Sequence, residues 1–553
     1  KIIFIHRTYY TLSFVSISAS LFLMGCGSTS LVSTPVENID TVPLKVSELT
    51  EAEQKNWGHL DLISDTIPGM SVDKAYKEII KNKKGKTVVV AVLDSGMDLN
   101  HEDLKNVLWT NTDEIPNNGK DDDGNGYVDD IHGYNFLGDS YNEQLEYVRM
   151  LRLNIGDASD RAKARLLLDE EYPKALQNKQ QYEQIFQVVK GADKAVKEEL
   201  GKETYTKEEL LSIQPKTPQM EQSVAVLTQM FTYGDSIADV LDELQEGITY
   251  FTDQVNYNLN KDFDGRTPVG DNPYDITDVP YGNGNPKNQV VTESHGTHVA
   301  GIIAAQRNNG VGMNGVANNV EIMSIRAVPN GDEYDKDIAM GIRYAVDNGA
   351  SIINCSFGKA FSPEAQWVYD AIKYAESKDV LIVHAAGNDG EDLDDPENPN
   401  YPNDHRFGNS EFVSNVITVG ALTSSYGSEM VATFSNYGHA NVDVFAPGDK
   451  IYSTMPSNDY EFQGGTSMAA PAVAGVAALI RSYYPSLSAP QVKNIIMQSG
   501  LKSKASVIVA GDESKSTTFD KISKSGKMVN AYNALILANN ISKGKMTLES
   551  NSK

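Results

Sequence analysis

Runs of β-branched and apolar residues recur along this chain, too short for helices and too apolar for loops. They occupy residues 87–93, 320–328, 351–354, 380–384 and 415–419, and each has the length and composition of a strand buried on both faces. Helical apolar spacing fills two of the intervals, 335–348 and 363–378. Strands alternating with helices make βαβ units, which resolve most simply into a mainly parallel sheet flanked by helices. The expected fold class is therefore α/β. In such sheets chemistry collects in the crevice at the carboxyl ends of the strands.

Residues 139–259 break this rhythm. Tyr182, Ile185, Phe186, Val189, Val196 and Leu200 keep mostly three- and four-residue spacing, as do Ile237, Val240, Leu241, Leu244 and Ile248. Thr206 and Glu209 have the form of a capping box. A helical insert is expected here, with its apolar faces packed on each other or on the rest of the chain. Its role is expected to be a lid or rim; the alternative is a self-contained spacer, because long surface insertions are well tolerated.

Three polar points stand at the edges of buried elements. The first strand runs directly into Asp94. The stretch SHGTHVAG (294–301) places His295 and His298 at the mouth of a small-residue helix. FQGGTSMAAPAVAG (462–475) places Ser467 ahead of an apolar run, 468–480, long enough to be a buried helix. Gly464 and Gly465 permit close backbone approach, and Pro471 suits the first turn of a helix. A helix N-terminus there favours developing negative charge. Each residue also has a plainer use: Ser467 as an N-cap, Asp94 in a turn, the histidines on a metal. The histidine pair lacks the glutamate and the third ligand of a zinc site. A Ser, a His and an Asp together are the parts of an acyl-transfer site.

The segments AVLDSGMDLNHEDL (91–104), ESHGTHVAGIIAA (293–305) and GGTSMAAPAVAGVAAL (464–479) resemble, in that order, the three catalytic boxes of the subtilisin-like serine proteases, the subtilases. INCSFG (353–358) and VHAAGN (383–388) agree. The resemblance covers residues 57–138 and 262–537 and leaves out the insert. It implies a serine endopeptidase acting on proteins or peptides. In that reading Asp94 orients, His295 is the general base and Ser467 the nucleophile, while Asn388 and the Ser467 N–H receive the oxyanion. Ser356, Phe357 and Gly358 would form an edge that pairs with an extended substrate. His298 would be structural, and Cys355 a small hydrophobe. The rival is a catalytically silent surface binding protein that keeps the fold; the presence of all four residues weighs against it.

The stretch DDDGNGYVDD (121–130) carries a second chemistry. Oxygen side chains at its first, third and fifth positions, glycine at the sixth and carboxylates at the ninth and tenth suit a hard cation. Asp121, Asp123, Asn125, Tyr127, Asp129 and Asp130 are the candidate ligands of a structural calcium ion. The bidentate glutamate of an EF-hand loop is missing, since His132 stands in its place. A solvated acidic turn is the plainer alternative, and a calcium-dependent adhesion module has thin support without repeats.

Charge and cysteine usage bound the rest. With 48 basic and 75 acidic residues the net charge is −27, which argues against a nucleic-acid partner. The two cysteines, Cys26 and Cys355, offer no disulfide framework. Lys1, His6 and Arg7 precede a short apolar run ending in LMGC, which reads as a secretory signal. That ending resembles a bacterial lipobox, which implies lipidation at Cys26, export, and a place on the cell envelope, with an outer membrane or the cell surface permitted. The expected organisation is a signal peptide (1–25), a lipidated tether (26–56), the first part of the catalytic domain (57–138), the insert (139–259), the second part (260–540) and a polar tail (541–553).

Overall fold

The computed structural model describes residues 34–45, 47–405 and 410–549. The compact unit begins at Pro35, so Cys26 and the signal-like segment lie outside the described residues.

Helices α1 (Glu51–Asn56) and α2 (Val72–Ala75) precede strand β1 (Val88–Asp94), and β2 (Gly133–Asn135) follows. Five helices come next: α3 (Glu146–Leu153), α4 (Ala158–Leu200), α5 (Lys207–Ser212), α6 (Pro218–Met230) and α7 (Ile237–Asp253). Alternation then resumes with α8 (His295–Ala304), β3 (Val320–Arg326), α9 (Asp335–Asp347), β4 (Ile352–Cys355), α10 (Ala365–Ser377), β5 (Leu381–Ala385), β6 (Val416–Leu422) and β7 (Val444–Pro447). The hairpin β8 (Ile451–Met455) and β9 (Asp459–Gln463) leads into α11 (Thr466–Tyr483). The remainder is α12 (Ala489–Ser499), β10 (Leu501–Lys502), a second hairpin of β11 (Ser506–Val509) and β12 (Asp512–Thr518), β13 (Lys527–Met528) and α13 (Ala531–Ser542).

Nine strands form one sheet in the order β10-β13-β7-β6-β5-β4-β1-β3-β2. Every pair in it is parallel except β10–β13. The β1 sequence shows why both faces are covered. Val88, Val90 and Val92 enter a core with α8, α11, α12 and α13, whereas Ala91 and Leu93 enter the opposite core with α9 and α10. Alternate residues point to opposite faces of a strand, so two buried faces demand a continuous apolar run. Strand β1 lies between β3 and β4, and the chain crosses from one side of it to the other. A crevice therefore opens at the carboxyl end of β1.

Helix α11 is apolar all round because it is buried all round, from Met468 to Ile480. It begins at Thr466, earlier than the apolar run suggests, which puts Pro471 in its second turn and not its first.

The region 139–259 is helical. Val189, Val196, Leu210, Leu227 and Ile237 form a core of its own, and the Thr206–Glu209 capping box closes in both directions. Its base is stitched to the body. Arg149, fully buried, donates to Glu146 at 2.6 Å and to the carbonyls of Asp332 (2.6 Å) and Glu333 (3.0 Å). Lys359 donates to Glu146 at 2.7 Å. Breaking such a buried pair by removing one partner typically costs about 3–5 kcal/mol, so this junction resists separation.

The expected tether is corrected from Pro35 onward. Val36 donates to the Asn533 side chain at 2.9 Å, Asp40 accepts from Ser503 at 2.7 Å, and Ile39 is buried. Val36, Ile39 and Val42 recur every three residues, so that a segment of unremarkable composition still presents one apolar edge to the body. The polar tail likewise folds back, with the Glu549 backbone N–H donating to the Gln498 side-chain oxygen at 3.1 Å.

Candidate active site

Asp94 ends β1 and His295 opens α8. They meet because a glycine after β1 and another at the start of α8 let the two backbones approach closely. Gly96 has φ +87°, and a side chain on Gly296 would lie 2.1 Å from the Gly96 carbonyl. His295 Nδ1 lies 2.8 Å from Asp94 Oδ1, which also accepts the Ser95 N–H at 2.7 Å. Asp94 is buried, and the His295 side chain is 38% exposed. Desolvation pulls the imidazole pKa down, but the Asp94 charge and hydrogen bond outweigh it and hold His295 above its ordinary value. An acceptor on Nδ1 fixes the tautomer that leaves Nε2 free to take a proton.

Ser467 stands at the second position of α11, half-buried. In a regular helix its carbonyl would accept the N–H of residue 471, but Pro471 has none. The Ser356 hydroxyl takes that place and donates to the Ser467 carbonyl at 2.8 Å, while the Ser467 hydroxyl donates to the Ser356 carbonyl at 3.0 Å. Asn354 in β4 completes the chain by donating to the Ser356 hydroxyl at 2.9 Å. Proline in the second turn thus frees an acceptor that locks two distant segments together.

Asn388 follows β5. Its Oδ1 accepts both the Thr466 N–H (2.9 Å) and the Thr466 hydroxyl (3.0 Å), which turns the Nδ2 group toward the start of α11. A side chain on Gly465 would place its Cβ 3.6 Å from Asn388 Nδ2 and 3.6 Å from the Ser467 nitrogen. Glycine there keeps an open cradle between two N–H donors at a helix N-terminus, where a developing oxyanion is best received. Ser356 and Phe357 are buried, and Gly358 is exposed beside them at the edge of the crevice. His298 is removed from the chemistry. Burial pushes its pKa down to about 3, so it is neutral, and its Nε2 faces the carbonyls of Ile451 (3.0 Å) and Glu461 (3.2 Å). Cys355 is free and buried, and desolvation pushes its thiol pKa up.

The acidic loop rearranges the expected ligand set. Glu114, Asp123 and Asp130 each offer one oxygen, all within 4.8 Å of one another. Asp130 is fully buried, and burial raises its pKa to about 6. Asn125 is adjacent, donating to Asp123 and Asp130 at 3.1 Å each. Asp121 instead accepts the backbone N–H groups of Gly124, Asn125 and Gly126. Asp129 accepts those of Asn118 and Gly119. The Tyr127 ring packs against Tyr134 and Tyr344. Three convergent carboxylates, two of them buried, fit a divalent cation, and Glu114 belongs to the set although it lies outside the motif.

Two further residues escaped the sequence reading. Arg326 at the end of β3 is fully buried and donates to Glu293 at 2.9 Å and to the Ser140 carbonyl at 2.7 Å. It ties the segment leading into His295 to the sheet. Asn354, the other, carries no signal beyond being polar inside an apolar strand.

The sequence model of the Subtilase family matches residues 85–522. The chain is 40% identical over 229 residues to the thermophilic serine proteinase of Bacillus sp. (strain AK1), covering 41% of this chain and 50% of that one. It is 41% identical over 201 residues to subtilisin DY of Bacillus licheniformis (36% and 68% covered). It is 41% identical over 189 residues to thermitase of Thermoactinomyces vulgaris (34% and 61% covered). The chain thus spans from half to about two thirds of the length of these relatives.

Proposed function

The chain belongs to the subtilase family, and from that premise we propose that it is a serine endopeptidase working through an acyl-enzyme on Ser467. The reading rests chiefly on the 2.8 Å pairing of His295 with Asp94 in the crevice where α11 begins. The Ser467 hydroxyl rotates from the Ser356 carbonyl toward His295 and attacks a peptide carbonyl. His295 Nε2 takes the hydroxyl proton, and Asp94 stabilises the imidazolium. The oxyanion lies in the cradle between Asn388 Nδ2 and the Ser467 N–H. His295 then protonates the leaving amine, and water releases the acyl group by the same steps in reverse. The substrate lies extended along Ser356–Gly358, whose backbone supplies affinity with modest side-chain selectivity. Labelling by a serine-reactive fluorophosphonate tests this reading: intact protein should label, Ser467→Ala should not, and equal labelling of both would refute it.

Calcium is the cation that the loop's oxygens suit. Glu114, Asp123 and Asp130 would hold it, and its charge would relieve their mutual repulsion. The LMGC sequence supports export and lipidation at Cys26, with the protein held on the cell envelope. Cys26→Ser should release it from membranes or block its processing; a mature protein with an unmodified N-terminus elsewhere would sink that reading. The insert serves as a rim, a role favoured by its attachment to Lys359, directly after Gly358. Replacing it with a short Gly/Ser linker should admit folded substrates while leaving small peptides cleaved as before; unchanged selectivity would make it a spacer.

A further inference from the structure

The chain is strongly acidic overall, yet residues 500–553 carry nine lysines against four carboxylates. Several of these line one groove. Lys502, Lys504 and Lys527 border it together with Pro35, Asn540 and the half-exposed Met546. Lys543 and Lys545, both exposed, continue the face past α13, and Lys83 lies close enough to Lys543 and to Lys81 for their charges to repel. Among the described residues, the carboxylates lining the groove are Glu37 and Asp40, and Glu549 lies beside it at Gln498. Asp40 is engaged with Ser503 and the Lys504 backbone, and Glu549 bonds to Gln498 through its backbone.

Several lysines elsewhere are paired. In the helical insert Lys174, Lys179, Lys197 and Lys202 each sit against a carboxylate. Among the described residues, no such ion pair is formed by Lys81, Lys83, Lys502, Lys504, Lys543 or Lys545. A cationic face left unneutralised in an acidic protein is complementary to an anionic surface. Its place in the fold says which surface. The chain enters the compact unit at Pro35, inside the same groove, and only nine residue steps separate Pro35 from Cys26. Fully extended, that span reaches at most about 30 Å.

We propose that this lysine face docks on the anionic headgroups of the membrane that carries the protein, as the second of two anchoring signals. The geometric part of the argument rests on the lipidation of Cys26 proposed above. A basic patch beside a lipid anchor adds electrostatic attraction to anionic headgroups. It would also fix which side of the protease faces the membrane.

The test uses the full chain carrying Cys26→Ser, so that no lipid contributes, and measures co-sedimentation with vesicles. Phosphatidylglycerol-containing vesicles should bind it on the order of 1,000-fold more tightly than pure phosphatidylcholine vesicles, the preference expected from about four surface lysines. High salt should erase the difference. Adding K502Q/K504Q/K543Q/K545Q should remove it, while K174Q/K179Q/K197Q/K202Q in the insert should not. Equal binding to both vesicle types, or a preference that survives the first set of substitutions, overturns the proposal. So does retention on an anionic polysaccharide without vesicle binding. The unsubstituted chain, assayed separately for an acyl group on Cys26, reports on the lipid anchor alone: loss of that reading with the vesicle preference intact leaves the face standing.

Discussion

Ser356 and Ser467 hold each other twice: each hydroxyl donates to the other's carbonyl, at 2.8 Å and 3.0 Å. The first bond exists because Pro471 cannot supply the helical N–H that the Ser467 carbonyl would otherwise accept. Ser356→Ala should therefore lower stability by about 1–3 kcal/mol, the usual cost of leaving an acceptor unsatisfied. Pro471→Ala restores the missing donor, so the double variant should recover most of that loss. Denaturant unfolding of the four proteins reads the coupling, and strictly additive effects would contradict this account.

Asn388 receives the oxyanion only as it forms. Asn388→Ala should lower kcat by about 10²–10³-fold with KM little changed, as expected for one donor that acts in the transition state. A change confined to KM would remove Asn388 from that role.

The charge of Asp94 sets the pH range of activity. His295 must be neutral to act as base, and its pKa is held above the ordinary imidazole value. The acid limb of kcat/KM should consequently lie above about pH 6.5. Asp94→Asn leaves desolvation unopposed, so the limb should move to lower pH while the plateau falls on the order of 10⁴-fold. An unmoved limb would show that another group controls it.

Glu333 is buried, and its Oε1 has no partner among the described residues. Burial raises its pKa to about 8 from 4.5. Between those values the native state keeps a proton that the unfolded chain gives up, so this group makes stability fall as pH rises through the window. Glu333→Gln keeps the neutral shape and lacks the fall. Its melting temperature should exceed that of the unsubstituted protein at pH 9 and converge with it near pH 4.5, which thermal scans across pH can check.

Calcium should raise the melting temperature. An excess of about 100-fold over Kd contributes roughly 2.7 kcal/mol, and Asp123→Asn should remove most of it. Because burial holds Asp130 near pH 6, protons should compete with the ion below that value and weaken binding. Calorimetry with and without chelator decides; indifference to both would leave an acidic turn that binds nothing.

Much of this protein is written locally. The continuous apolar runs of β1, β3, β5 and β6 announce strands covered on both faces, because alternate residues must enter two cores. Asp94, His295, Ser467 and Asn388 are legible for a related reason: each stands where a buried element meets an irregular turn, and the glycines and small residues beside it report that local backbone. The rest depends on distances that only the folded chain sets. Pro471 is visible as a proline, but nothing nearby says that Ser356, 111 residues away, answers the carbonyl it leaves open. Glu114 joins Asp123 and Asp130 from outside the acidic motif, while Asp121 and Asp129, inside it, turn to backbone amides that lie closer. The insert's helices follow from their spacing. Their attachment through Arg149, Glu146 and Lys359 does not, since a buried ion pair is stable only when both partners and their hydrogen bonds arrive together. Local sequence determined the elements and the positions of the reactive groups. Tertiary structure decided their partners, because hydrogen bonds and charge pairs depend on separation in space, and apolar periodicity carries no record of it.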